Sequence, residues 1–171
     1  MYRYISYLWM SVAVLFVQIF ILDNISLAAW MRPMIFPVIV LLLPTEWRLI
    51  WVILSTFAVG FIMDLALGGS GLYVASLLPL AAMRSWLLFV TTHRSAETGE
   101  QKQLLARLNV RQLMVYMATA LLIHHALFFG LEALSFASPV RLLMSTLFSA
   151  LLSLLLSWFV VRIFTTKVIM R

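Results

Sequence analysis

Cysteine is absent from all 171 residues, which excludes a disulfide framework and any thiolate metal site and leaves the redox compartment unmarked. Charge is nearly as scarce: Asp, Glu, Lys and Arg make up 11% of the chain, and only six of them are acidic. No repeat of about 20–50 residues occurs, nor any low-complexity stretch or soluble linker. What remains is apolar. Hydrophobic residues make up 64% and the mean hydropathy is +1.07, more apolar surface than one small core can hide, so the composition is that of an integral membrane protein.

Runs long enough to cross a hydrocarbon layer of ~30 Å recur along nearly the whole chain. They predict one polytopic, all-α domain over 1–171, a six-helix bundle with helices near 5–22, 30–44, 48–67, 72–90, 112–134 and 140–162. The first run exceeds the roughly 7–15 apolar residues of a secretory signal, so a retained signal-anchor helix is expected despite the cleavage-like Ser26-Leu27-Ala28. The second run is the irregular one. Pro33, Pro37 and Pro44 bracket it, which predicts a short, broken or re-entrant helix whose freed backbone groups neighbouring helices must cover.

The net charge of +6 is spread between the spans and is read as a topology signal rather than a nucleic-acid surface. With a cytoplasmic N-terminus, Arg3, Arg48, Arg94, Lys102, Arg107, Arg111, Arg162, Lys167 and Arg171 all fall inside, against Arg32 and Arg141 outside. Both termini and the 91–111 connection are then cytoplasmic. That connection holds a Thr98…Gln101 capping box, with Leu104 and Leu108 on one face and Lys102, Arg107 and Arg111 able to meet anionic headgroups, so a short interfacial helix is expected there.

Ionisable side chains inside spans are costly, so the few present are informative: Asp64, Arg84, His124, His125 and Glu132. Asp64 lies about one turn from the outer end of helix 3, where it either meets headgroup water or fixes the packing of helices 3 and 4. Gly60 shares its face and admits a close neighbour. Arg84, twelve residues into helix 4, either snorkels inward or reaches Asp64 across a kink at Pro79. The adjacent rings of His124 and His125 point about 100° apart and suit hydrogen bonds between helices better than a metal site. Glu132 is expected to pair with Arg141.

No G-x-S-x-G elbow, Walker A loop, dinucleotide fingerprint or HExxH is present, so the chain carries no motif of a known catalytic class, and no cofactor is expected. Ser145, Ser149, Ser153 and Ser157 recur every four residues on helix 6. This small-residue stripe is the pattern by which helices pack closely in lipid, and it is the candidate partner interface.

Six short spans, a second span ending in Leu41-Leu42-Leu43-Pro44, and Gly60-x-x-x-Asp64 followed by Gly71 resemble the rod shape-determining MreD family; Arg84 on the next helix fits variants of it. The resemblance covers nearly the whole chain, although helices 5 and 6 carry nothing specific to it. It implies a non-catalytic bacterial inner-membrane subunit of the cell-elongation machinery that binds MreC and works with MreB, RodA and a class B penicillin-binding transpeptidase. It also implies a fold like the S-components of energy-coupling-factor transporters. The competing expectation is a transport subunit of S-component type in which Asp64, His125 and Glu132 line a solute pocket.

The charge bias generates a direct test. A Thr98→Cys variant of this cysteine-free chain should resist membrane-impermeant thiol reagents in intact cells and react after permeabilisation; labelling in intact cells refutes the cytoplasmic connection.

Overall fold

The computed structural model describes residues 2–25, 31–45, 47–92, 108–133 and 138–164. The expected interfacial helix and its Thr98…Gln101 box fall in 93–107 and lie outside the described residues, as do the cleavage-like 26–28 and the basic residues beyond 164. The fold is all-helical. α1 (Tyr2–Val17) runs on into a π-helical turn (Gln18–Leu22), followed by α2 (Pro37–Leu42), α3 (Leu49–Leu67), α4 (Leu72–Thr92), α5 (Val110–Glu132) and α6 (Pro139–Phe164). Among the described residues, α3 to α6 are long and apolar enough to cross a membrane, with the shorter apolar run 7–22 beside them.

Chain neighbours pack in sequence, α3 on α4, α4 on α5 and α5 on α6. Asp64 at the end of α3 meets the first turn of α4, and His124 late in α5 meets Ser76 early in α4, so α4 runs against both neighbours. α5 starts at a capping box that the sequence reading missed: the Asn109 side chain takes the Gln112 amide while the Gln112 side chain takes the Asn109 amide. The cue, Asn109-Val110-Arg111-Gln112, lies immediately before the apolar run.

The second pass differs from its expected 30–44 helix. Only Pro37–Leu42 is helical, and residues 32–35 before it are irregular or extended. Two prolines explain this. Pro33 offers no amide to a helix, and Pro37 takes the first helical position, where a missing amide costs nothing. Every residue from 33 to 44 is buried, so this pass runs through protein rather than lipid. Extended backbone rises about 3.3 Å per residue against 1.5 Å in a helix, so a partly unwound segment reaches further per residue than a full helix would. α2 packs on α5, α4, α1 and α3, and Phe36, Val38, Val40 and Leu41 are fully enclosed.

Arg84 holds the lower end of this segment. Its guanidinium donates to the carbonyls of Leu43 and Pro44, just past the end of α2, where carbonyls have no helical partner. The side chain is only 4% exposed. It therefore neither snorkels nor reaches Asp64; the carbonyls that follow α2 hold it inside instead.

Asp64 does the matching work at the upper end. Its Oδ1 accepts the Tyr73 amide at 3.1 Å and its Oδ2 the Val74 amide at 3.0 Å, two first-turn donors of α4 that have no partner within their own helix. Gly71, at φ +92°, turns the chain into α4 in a conformation that other residues rarely adopt. Gly60 sits one turn before Asp64 against the α4 backbone, and a Cβ there would lie 2.9 Å from Val74 Cα. The three residues thus make one joint between α3 and α4.

Asp64→Ala strips both α4 amides of their acceptor and should cost ~1–3 kcal/mol in detergent unfolding. Asp64→Asn retains one carbonyl oxygen for two amides and should fall between Ala and wild type. Equal stabilities of all three proteins would refute the joint.

Candidate functional site

The densest polar chemistry surrounds residues 32–35, where the backbone has left the helix but not the protein interior. On one side stands Gln18 of the π-helical turn, 2% exposed. Its Nε2 donates to the Pro33 carbonyl at 3.2 Å and its Oε1 accepts the Ile35 amide at 2.7 Å. On the other side stands α6. The Arg32 amide donates to Ser149 Oγ at 3.0 Å and the Met34 amide to Ser153 Oγ at 2.7 Å. Pro33 has no amide to satisfy. The segment is therefore bonded on both edges like a strand, with side chains in place of neighbouring strands.

The serine spacing follows from two repeats that nearly coincide. Four helical residues rise ~6.0 Å, and two extended residues rise ~6.6 Å, so serines at i and i+4 meet alternate amides of an extended segment. Ser145, Ser149, Ser153 and Ser157 are all buried. The stripe is thus not an open docking face, as the small-residue pattern suggested; within the chain, Ser149 and Ser153 hold the second pass. The sequence pattern marks close approach and cannot tell a neighbour in the same chain from a partner.

The histidines extend this network in two directions. Ser153 Oγ lies 3.1 Å from His125 Nε2, and His125 Nδ1 lies 2.8 Å from the Leu121 carbonyl. With Nδ1 donating to that carbonyl, Nε2 of the neutral ring accepts the Ser153 hydroxyl, so a directed chain runs from the Met34 amide through Ser153 to His125 and the α5 backbone. His124 turns the other way. Its Nδ1 lies 3.3 Å from the Ser76 carbonyl on α4, and its ring meets Phe36 edge-on at a centroid distance of 5.4 Å. Both rings are fully buried, and the described residues hold no cluster of three or more metal-ligating side chains.

Near the rim, Arg32 Nη1 pairs with Glu132 Oε1 at 2.8 Å, with both side chains partly exposed. Glu132 therefore pairs with Arg32 rather than with Arg141, because the second pass brings Arg32 to the end of α5. A cavity of about 290 Å³ opens beside this pair, lined among others by Gln18, Asp23, Arg32, Pro33 and Tyr73. Of the residues expected to line a solute pocket, Asp64 is bonded to α4, His125 is enclosed against α6, and Glu132 pairs with Arg32 at the rim. Gln18 and Arg32 are the functional positions that the sequence reading passed over. The one signal available was Gln18, an uncharged amide alone in an apolar run.

Comparison with protein-family models, with curated proteins and with solved structures finds no match to this chain.

The serine ladder makes unequal predictions for chemically identical changes. Ser153→Ala leaves the buried Met34 amide without its acceptor and removes the hydroxyl from His125 Nε2, and should cost ~1–3 kcal/mol. The Ser157 hydroxyl has no partner among the described residues, so Ser157→Ala should be neutral or slightly stabilising. Equal losses in thermal unfolding from the two variants would refute the ladder.

Proposed function

We propose that this protein is a non-catalytic scaffold subunit of the bacterial cell-elongation machinery, a multi-pass inner-membrane protein of the MreD type with both termini in the cytoplasm and an S-component-like bundle. Its partners are an MreC-like single-span protein and, directly or through it, RodA, a class B penicillin-binding transpeptidase and MreB. The observation that carries the reading is how the polar side chains inside the bundle are engaged. Asp64 holds α4 amides, Arg84 holds the carbonyls after α2, and Gln18, Ser149 and Ser153 hold residues 32–35. Side chains bound to backbone in this way stiffen a bundle and are not free to act on a substrate, which suits a protein whose work is to be held and to hold. The Gly60, Asp64 and Gly71 spacing that carries the resemblance belongs to the same rigid frame.

The cavity of about 290 Å³ beside Gln18, Asp23, Arg32 and Tyr73 favours one second reading, an S-component-like subunit that binds a small solute for transport. Its lining offers a carboxylate, a guanidinium and a phenol to a polar ligand.

Affinity purification of the full chain in mild detergent should recover a single-span protein with a large periplasmic region, and depletion should turn rod-shaped cells round. Unchanged rods, together with tight retention of a small solute by the purified protein, would replace the scaffold reading with the transport one.

A further inference from the structure

The described acids Asp23, Asp64 and Glu132 all lie toward one end of the bundle; the opposite end carries Arg48, Arg111 and Arg162 with Arg84 buried above them. A pocket of about 50 Å³ opens at this basic end between the start of α3 and the second half of α4. Thr45, Trp47, Leu49, Arg84 and Ser85 are among its lining residues.

Two independent features meet there. α3 is 19 residues long and begins at Leu49, and its N-cap Arg48 makes no side-chain bond to the first-turn amides. The Trp51 amide turns back to the Arg48 carbonyl, but the Leu49 and Ile50 amides, with the positive end of the helix dipole, favour an anion. Arg84 supplies the second feature. A guanidinium carries five N–H donors and a permanent charge, yet Arg84 meets only neutral groups among the described residues, the Leu43 and Pro44 carbonyls and the neighbouring Tyr116 phenol, and its buried Nε has no partner there. No described carboxylate pairs with it. A charge enclosed this far without a counter-charge is costly, and an anion in the adjoining pocket removes the cost.

We propose that this pocket is an anion site that binds the phosphate group of an anionic membrane phospholipid. Planar guanidinium donors beside helix N-terminal amides match the tetrahedral oxygens of a phosphate. The surroundings select a lipid as the source. Trp47, a residue type that favours the membrane interface, lines the pocket, and Leu49, Ile50 and Trp51 expose apolar surface beside it for acyl chains. The site is independent of the proposed scaffold role and of its partners.

The test uses the full-length protein in a neutral detergent. Micelles doped with phosphatidylglycerol should raise Tm by roughly 2–4 °C over micelles doped with phosphatidylcholine, and native mass spectrometry should retain one phosphatidylglycerol. Ser85→Phe obstructs the pocket and leaves the Arg84 carbonyl bonds intact; it should abolish both effects without lowering Tm in undoped micelles. Arg84→Lys, which keeps the charge and loses the fork, should weaken retention several-fold. Equal shifts with both lipids, or full retention by Ser85→Phe, would overturn the site. An equal shift with inorganic phosphate alone would overturn the lipid as its source. Glu46 lies between the lining residues Thr45 and Trp47 in sequence; if Glu46→Gln lowers Tm and phosphatidylglycerol gives no shift with the wild-type protein, that carboxylate is the counter-charge and the proposal fails.

Discussion

A backbone amide or carbonyl at the depth of the hydrocarbon must be bonded by protein, because lipid offers it nothing and each unmet group costs several kcal/mol. Helices meet this demand from within. The second pass of this chain does not, since prolines at 33, 37 and 44 deny it a continuous helix. Its remedy is burial at the centre of the bundle, where α1, α3, α4 and α5 surround α2 and α6 reaches the segment before it.

From that arrangement most of the polar interior follows. Gln18 serves one edge of residues 32–35, Ser149 and Ser153 the other, and Arg84 the carbonyls beyond α2. Each of these residues replaces a bond that a regular helix would have made for itself. His125 then orients the Ser153 hydroxyl from behind. The network is sparse in charge and rich in fixed geometry. Such an interior resists deformation, because moving any one helix leaves a buried group unpaired.

The two ends of the bundle differ in how they treat charge. At the acidic end Asp64 is bonded to helix amides and Glu132 is paired with Arg32, so those carboxylates have partners within the chain. At the basic end no described carboxylate meets Arg84, whose guanidinium is bonded to carbonyls, and the first turn of α3 lacks a side-chain cap. The second arrangement leaves a buried charge that an anion could offset.

Composition and run length were enough to determine a helical membrane protein and, within a few residues, the bounds of α3 to α6, because hydrocarbon thickness imposes its own length on any span. The prolines marked the second pass as irregular for an equally local reason, and the isolated ionisable residues marked themselves by their cost. Partners were another matter. Nothing in the sequence joins Gln18 to Ile35, Arg32 to Glu132, or Ser153 to Met34 and His125, since those pairs are separated by 17, 100, 119 and 28 residues. The serine stripe is the clearest case: its four-residue period was legible, but whether it faced another protein or the chain's own unwound backbone depended on where the second pass ran. Tertiary structure decided that, by placing an extended segment whose two-residue repeat matches the helix's four-residue rise.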